Sequence, residues 1–211
     1  MTSNKPKAEG QRLERGFFTR PDVLAVSREL LGKYLVTEFE GQRTAGKIVE
    51  VEAYRGPDDK ASHAYSGRYT ERTKVMYAEG GHAYVYLCYG IHHLFNVVTA
   101  TEGVPHAVLV RAIEPAENVA LMLQRRGLER LSPRLAAGPG VLSQALGIKA
   151  SHSGIDMLAP GSPIWLECRG EQVAETEIAA GPRIGIAYAA ECAAWPWRFS
   201  LRGSPWVSKA K

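Results

Sequence analysis

The chain has 211 residues, a mass of 23.1 kDa, a formal net charge of +4 and a pI near 9.0. This length fits one domain with a sizeable core, and no change in composition marks a boundary. The mild basicity permits an anionic partner such as nucleic acid but does not require one. No apolar run resembles a signal peptide or a membrane-spanning helix, so we expect a soluble intracellular protein.

Neither the cysteines nor the histidines predict a metal site. Cys88, Cys168 and Cys192 are odd in number and lack the paired spacing of a zinc or iron–sulfur centre, which indicates free thiols in a reducing compartment. His92 and His93 are adjacent, so on an extended chain their side chains point apart. No third ligand accompanies them, and we expect no metal.

The N-terminal region predicts a tail followed by a helix. Residues 1–16 are mostly polar and are expected to be flexible, which leaves residues 17–211 as the single folded domain. Thr19 can cap a helix that has Pro21 in its first turn, and Gly32 is expected to end it.

A hairpin should follow, because the segments Tyr34–Phe39 and Arg43–Ala53 have strand character and flank Glu40-Gly41. Alternation along the second strand places four side chains on one face: Ile48, Glu50, Glu52 and Tyr54. After a turn the chain returns to His63. Two interpretations are open, the solvated face of a half-buried sheet and a reaction site built from a carboxylate and aromatic rings.

Three further segments predict strands, at 83–89, 94–99 and 107–113. Tyr89 precedes Gly90 where the chain should protrude as a hairpin, so its ring is expected to be exposed. Arg111 interrupts an apolar run, and a buried arginine needs a carboxylate partner, for which Glu50 or Glu52 is the candidate.

The remaining segments are less specific. Arg68, Arg72 and Lys74 lie in a polar loop that either is solvated or faces phosphates. Glu114-Pro115 is expected to open a helix that runs to Arg126. A short helix should follow Gly138, and it lacks the lysine and the spacing of a nucleotide-binding loop. Short strands are expected at 164–168, 183–186 and 197–201. The mixed order of elements predicts an α+β fold, a single domain built on an antiparallel sheet.

With these segments identified, the chain resembles the alkyladenine (3-methyladenine) DNA glycosylase family from about Leu30 to Ser208. Several ordered blocks carry the resemblance: Val51-Glu52-Ala53-Tyr54, Gly56-Pro57-Asp58-Asp59, Ala61-Ser62-His63, Tyr84-Val85-Tyr86, Tyr89-Gly90, Asn96, Leu109-Val110-Arg111-Ala112, Glu114-Pro115, Gly138-Pro139 and Arg202-Gly203-Ser204-Pro205-Trp206-Val207. The resemblance implies a curved antiparallel sheet with surrounding helices and a protruding hairpin, no cofactor, and a monomer. It also implies hydrolysis of the N-glycosidic bond of an alkylated or deaminated purine in double-stranded DNA.

The resemblance further implies a role for each site residue. Glu52 should activate the attacking water, helped by Arg111 and by a backbone carbonyl near Ile184. Tyr89 should fill the gap left in the duplex by the extruded base. The base itself should be held by Tyr54, His63, Tyr86 and Asn96, with Asn96 disfavouring the exocyclic amino group of guanine.

The chemistry agrees with these residues, because cleavage develops positive charge on the sugar that a carboxylate can stabilise while it takes a proton from water. No lysine occupies an evident nucleophile position, so we expect base removal without strand cleavage. Two other function classes remain open: a module that binds damaged DNA without excising the base, and a nucleoside hydrolase.

Overall fold

In the computed structural model of the chain, residues 10–209 are described, and their strands form one open antiparallel sheet. The strands are β1 (Gln11–Arg12), β2 (Tyr34–Phe39), β3 (Gln42–Arg55), β4 (Ala83–Cys88), β5 (His92–Thr99), β6 (His106–Glu117), β7 (Ile164–Cys168), β8 (Ile178–Gly181) and β9 (Arg198–Leu201). Their order is β1-β7-β2-β3-β6-β5-β4, and β9 pairs with both β3 and β8.

The helices lie around this sheet. The α-helices are α1 (Arg15–Phe18), α2 (Val23–Leu30), α3 (Val119–Arg126) and α4 (Pro139–Leu146). Short 3-10 segments occupy Tyr65–Gly67, Lys74–Tyr77, Pro133–Leu135, Ala150–His152, Glu175–Glu177 and Ala187–Ala194. A single domain with this mixed architecture confirms the predicted α+β fold. Between residues 10 and 209, no helix has both the length and the apolar character needed to cross a membrane.

Two helix boundaries differ from the sequence prediction. Asp22, not Thr19, caps α2, and its carboxylate accepts hydrogen bonds from the backbone N–H groups of Leu24 and Ala25. A carboxylate can accept two such bonds at once, which makes Asp22 the better cap. The helix predicted from Glu114 is also wrong at its start, because β6 continues through Glu117 along β3 and α3 begins only at Val119.

Two other segments differ as well. Part of the predicted flexible tail, residues 1–9, lies outside the described residues, but Gln11 and Arg12 pair with Cys168 and Glu167 of β7. Backbone pairing therefore orders the chain before residue 17. The strand predicted at 183–186 is absent from the described structure, and residues 178–181 pair with β9 instead.

Pairing across the sheet produces alternating rows of core and site side chains. Ala83, Val97, Val108 and Ala53 are in register on β4, β5, β6 and β3, and all belong to the main apolar cluster. The adjacent row consists of Tyr84, Asn96, Leu109, Glu52 and Arg198, from β4 through to β9. Because neighbouring positions on a strand face opposite sides, this second row faces away from the core.

Three irregularities interrupt the register between β3 and β6, and two of them lie beside the glutamates. The register skips Val49 on β3 and Arg111 on β6. The skipped Val49 shifts the phase of β3, so Ile48 packs in the same apolar cluster as Val51 and not on the face of Glu52. The predicted grouping of Ile48 with the two glutamates is therefore wrong, whereas the bulge at Arg111 directs that side chain towards both carboxylates.

Candidate active site

Glu52 is the centre of the site. Its side chain is fully buried, yet it lines a cavity of about 640 Å³. Oε2 accepts a hydrogen bond of 2.7 Å from the Tyr54 hydroxyl, and Oε1 accepts one of 2.7 Å from the backbone N–H of Ile184. Oε1 also lies 3.2 Å from Nη1 of Arg111. A carboxylate offers about four acceptor positions, so these three donors leave room for one more, such as water.

Glu50 occupies the same strand but has different surroundings. Its Oε1 lies 3.1 Å from Nε of Arg111 and 3.2 Å from Nη1 of Arg198. Ser208 adds two hydrogen bonds, from its backbone N–H to Oε2 at 2.7 Å and from its hydroxyl to Oε1 at 2.9 Å. Glu50 thus has four protein donors, three of them on Oε1, and it is not among the residues that line the cavity.

Arg111 joins the two carboxylates. Burial disfavours its charge, but the coulombic attraction of Glu52 and Glu50 outweighs that effect and raises the pKa of Arg111. This confirms the expectation that a cation on this strand meets one of the two glutamates; the structure gives it both. The planar guanidinium presents its donors in a fixed fork, so Nε contacts Glu50 while Nη1 contacts Glu52.

The aromatic wall of the cavity comes from the turn after β3 and from β4. Nδ1 of His63 lies 2.8 Å from the Tyr84 hydroxyl, and its ring meets that of Tyr86 edge to face, with centroids 4.7 Å apart. Arg72 completes the group, with Nη2 3.2 Å from Nε2 of His63 and its guanidinium 4.8 Å above the Tyr86 ring.

Burial controls the protonation of these rings. It lowers the pKa of His63 to about 4, with smaller contributions from the charges of Arg72 and Arg68. Burial also raises the pKa of Tyr54 well above its usual range, and the charge of Glu52 adds to this. At neutral pH the imidazole is therefore neutral, and the Tyr54 phenol keeps the proton that it donates to Glu52.

Asn96 lies in the same row as Glu52 and is almost fully buried. Its amide nitrogen donates to the carbonyl oxygens of Tyr84 at 3.0 Å and Leu94 at 3.3 Å. With both N–H groups of the amide engaged, the side chain is fixed in orientation at the cavity wall.

Tyr89 lies at the tip of the hairpin formed by β4 and β5. It adopts a positive φ of 51°, and 91% of its surface is exposed. Leu87 and Ile91 flank it and are 46% and 71% exposed. Single exposed apolar residues are common, but three at one hairpin tip beside a cavity form an exposed apolar patch, whose contact with water is unfavourable.

The cavity is closed on its other sides by the start of α4 and by the segment after β8. Gly140 approaches His92 so closely that a Cβ atom there would lie 2.9 Å from the imidazole ring. A side chain at residue 140 would therefore displace His92 from the wall, which explains the glycine. Residues 10–209 contain no group of three or more His, Cys, Asp and Glu side chains that could hold a metal ion.

Most residues of the site were predicted from the sequence, but several were not. Arg183 is buried, pairs with Asp59, donates to the Ala53 carbonyl at 2.8 Å and lies 4.7 Å above the Tyr54 ring. It therefore fixes the segment that presents the N–H of Ile184 to Glu52. The signal available in the sequence was Asp59 itself, because a buried carboxylate requires a cationic partner.

The contribution of Ile184 also differs in detail from the expectation. The expected group was a backbone carbonyl near Ile184 that positions water, whereas the contact found here is from the N–H of that residue to Glu52. Backbone donors carry no sequence signal, since every residue except proline has one. The role of the carbonyl stays a prediction, as do the roles assigned to the side chains.

Comparison with known proteins identifies the family. The family model described as Methylpurine-DNA glycosylase (MPG) matches residues 16–205. A chain of Bacillus cytotoxicus is 46% identical over 200 residues, which cover 91% of this chain and 97% of that relative. Relatives from Chlamydia felis and Chlamydia pneumoniae are 47% and 48% identical over 190 residues, covering 90% of this chain and 95% and 94% of theirs.

Each of these three relatives bears the name "Putative 3-methyladenine DNA glycosylase". The match of the family model runs through all the site elements, from the start of α1 to the segment before Ser208. This agrees with the resemblance inferred from the sequence motifs. The chain belongs to the methylpurine-DNA glycosylase family and is a DNA glycosylase of the 3-methyladenine type.

Proposed function

We propose that this enzyme removes alkylated and deaminated purines, such as 3-methyladenine, 7-methylguanine and hypoxanthine, after they are extruded from duplex DNA. Glu52 activates the water that cleaves the N-glycosidic bond, and the DNA strand is left intact. Residues 17–211 act as one domain and as a monomer.

One observation carries this proposal: a buried carboxylate with a free acceptor position faces a cavity walled by aromatic rings. Glu52 is held by Tyr54, Ile184 and Arg111, while the rings of His63 and Tyr86 line the same cavity. A volume of about 640 Å³ is within the range that binds a small organic group. A purine with its sugar fits this class of site.

The proposed reaction uses Glu52 twice. As the bond between C1′ and the purine nitrogen lengthens, the sugar becomes an oxocarbenium ion, which the negative carboxylate stabilises. The carboxylate then takes a proton from the water that attacks C1′. Arg111 and the Ile184 N–H hold Oε1, and Tyr54 holds Oε2, so the carboxylate cannot rotate away during the reaction.

Base recognition rests on the rings and on Asn96. Tyr54, His63 and Tyr86 offer apolar faces on which an extruded purine can stack. Since both N–H groups of the Asn96 amide bond to backbone carbonyls, its action against the amino group of guanine is steric, through a side chain that cannot move aside. Tyr89, exposed at the hairpin tip, fills the space vacated in the duplex.

The absence of strand cleavage follows from the nature of the nucleophile. Strand cleavage by a glycosylase needs an amine that forms a covalent adduct with the sugar. Lys209 is the lysine that lines the cavity among the described residues, and it is exposed, whereas the buried group is the carboxylate of Glu52. Water activated by Glu52 gives an abasic site and an intact backbone.

A duplex containing one hypoxanthine tests this proposal. After incubation with the enzyme, hot alkali should cleave the strand at the lesion, and the sample without alkali should remain uncut. Cleavage without alkali would show a strand-cutting activity and would indicate Lys209 as the attacking amine. Tight binding of the duplex with no excision of hypoxanthine, 7-methylguanine or 3-methyladenine would instead show a damage-binding module.

A further inference from the structure

Arg72 contacts two of the rings that the proposed function assigns to the base, the edge of His63 and the face of Tyr86. Its Nη2 atom is 3.2 Å from Nε2 of His63, and its guanidinium carbon is 4.8 Å from the centroid of Tyr86. The residue is exposed in the segment before the 3-10 turn at Lys74–Tyr77, yet it lines the cavity. Its contacts are therefore with the binding site, not with the core.

These contacts fix the tautomer of His63. Arginine has no acceptor, so Nε2 must accept from the guanidinium, and the ring proton must lie on Nδ1. Nδ1–H then donates to the Tyr84 hydroxyl, 2.8 Å away. The charged groups near this ring are Arg72 and Arg68, with Tyr84 and Tyr86 packed against it. His63 is thus held neutral and in one orientation by two partners.

The same contacts join the two rings into one wall of the cavity. The centroids of His63 and Tyr86 are 4.7 Å apart and their planes meet at 76°. A purine stacked between two rings needs about 7 Å, since each face-to-face contact takes about 3.5 Å. A base therefore cannot lie between His63 and Tyr86 and stacks against the wall that they form, where the guanidinium of Arg72 already covers the Tyr86 ring.

Entry of a base also has an electrostatic consequence. A 7-methylguanine nucleotide is a cation, and it would approach a fixed positive charge in a site partly shielded from water. Hypoxanthine is neutral and presents O6 and N7, both acceptors that a guanidinium can donate to. Arg72 therefore affects the two classes of lesion in opposite directions.

Resting on the proposed function, we propose that Arg72 is a specificity-determining residue whose guanidinium covers the wall formed by His63 and Tyr86 and favours neutral over cationic purines. This role is distinct from contact with DNA phosphates, which would affect all lesions equally. Arg72 thus selects among bases before the glycosidic bond is cleaved, because only bases that displace or tolerate its guanidinium reach Glu52.

The test compares kcat/KM for 7-methylguanine and for hypoxanthine in otherwise identical duplexes. The Arg72→Gln variant should raise the ratio of the first to the second about fivefold, the scale of one charge–charge contact at about 4 Å that water screens, as it does at this exposed residue. Arg72→Lys keeps the charge and should keep the wild-type ratio. Lys74→Gln is the matched control, since Lys74 pairs with Glu71 beside Arg72 but does not line the cavity.

A second measurement follows His63 by NMR. Removal of the neighbouring cation favours the charged imidazole, so the pKa of His63 should rise from about 4 in Arg72→Gln and not in Lys74→Gln. An unchanged lesion ratio in Arg72→Gln, or an equal change in Arg72→Lys, would overturn the inference. If the wild-type enzyme excises neither lesion, the proposed function fails instead.

Discussion

Two glutamates two positions apart on β3 are equally buried but differ in what they can do. Glu50 receives two guanidinium groups and both the backbone N–H and the hydroxyl of Ser208, and it does not line the cavity. Glu52 receives three donors and borders the cavity. A carboxylate can act on a substrate only if one of its acceptor positions faces that substrate. Of the two glutamates, only Glu52 lines the cavity.

Glu52→Gln should abolish excision while leaving the fold intact. The amide keeps the shape of the carboxylate, and its oxygen can still accept from Ile184 and Arg111, so stability and lesion binding should change little. Loss of the general base lowers rates by roughly 10²- to 10⁴-fold, and loss of the negative charge adds to this. Single-turnover excision of hypoxanthine, measured beside the melting temperature and the Kd for lesion DNA, checks this prediction.

Glu50→Gln is the matched control at the neighbouring carboxylate. It leaves the guanidinium groups of Arg111 and Arg198 without their shared charge partner, and breaking a buried pair costs about 3–5 kcal/mol. This variant should therefore lose stability first. Near-normal excision by Glu52→Gln, with excision lost in a folded Glu50→Gln, would move the catalytic role to Glu50.

The buried His63 should make stability depend on pH. Its pKa in the folded state is about 4, below the ordinary value of 6.5, so the unfolded chain binds more protons between these limits. The favourable contribution of the neutral ring is complete above pH 6.5 and is lost as the pH falls towards 4. His63→Gln removes this titration, so its unfolding free energy should fall less than that of the wild type over the same range.

Urea unfolding at several pH values measures this difference. The control is His82→Gln, which also removes a histidine but from a partly exposed position outside the cavity lining. If wild type and His63→Gln lose stability in parallel between pH 6.5 and pH 4, the imidazole is not held neutral in the folded protein.

At the scale of elements, the hairpin of β4 and β5 serves two purposes. Its base contributes Tyr84, Tyr86 and Asn96 to the cavity, whereas its tip exposes Tyr89 at the edge of the same cavity. Backbone pairing of β4 with β5 holds the wall residues in register across the hairpin. The length of these strands therefore sets the distance between Tyr89 and the wall residues.

Tyr89→Ala should weaken the complex with lesion DNA without destabilising the free protein. The ring is 91% exposed, so its removal leaves no cavity in the core. Unstacking a base costs on the order of a few kcal/mol, which the ring offsets by filling the gap. Fluorescence of a base analogue placed at or beside the lesion measures the extruded fraction, which should fall.

Ile91→Ala provides the control for this prediction, since Ile91 is at the same tip and is also exposed. It should reduce affinity less than Tyr89→Ala and should leave the extruded fraction closer to wild type. A markedly lower melting temperature for Tyr89→Ala would instead mean that the ring supports the hairpin.

Elements with a strong local pattern were predictable, and those fixed by distant partners were not. The hairpin of β2 and β3 follows from its apolar strands around Glu40-Gly41, and α4 follows from Pro139 in its first turn. The extension of β6 through Glu117 depends on pairing with β3, which overrides the helix-forming tendency of that segment. The bulges at Val49 and Arg111 likewise depend on the match between two strands, so neither strand alone reveals them.

For the whole molecule, the modest net charge matters less than where the cations lie. Arg72 and Lys209 line the cavity, whereas Lys47 pairs with Glu114 at a separate surface cleft. A protein that neutralises phosphates releases counterions, so log affinity should fall linearly with log salt, by roughly 0.9 per contact.

Lys209→Gln should reduce this salt slope by about one contact, and Lys47→Gln should leave it unchanged. Titrating labelled lesion duplex from about 50 to 200 mM salt gives both slopes. Equal slopes for all three proteins would place the DNA backbone away from the rim of the cavity where Lys209 lies.

The candidate site is drawn from nearly the whole chain, which limits what local sequence patterns can reveal. Glu52 and Tyr54 were predicted together because they share a strand, and Arg111 because a buried cation needs an anion. Arg183, Ser208 and the Ile184 N–H were missed, because each meets β3 from more than 120 positions away and no periodicity encodes such contacts.

The hydrogen bond between Ser208 and Glu50 has a consequence for the timing of biosynthesis. The two residues are 158 positions apart, so at about 5–20 residues per second a ribosome needs roughly 8–30 s to make the second after the first. Until Ser208 has been made, Glu50 lacks the two hydrogen bonds that this serine donates. A growing chain can therefore form its early hairpin before the C-terminal residues that complete the surroundings of Glu50 have been made.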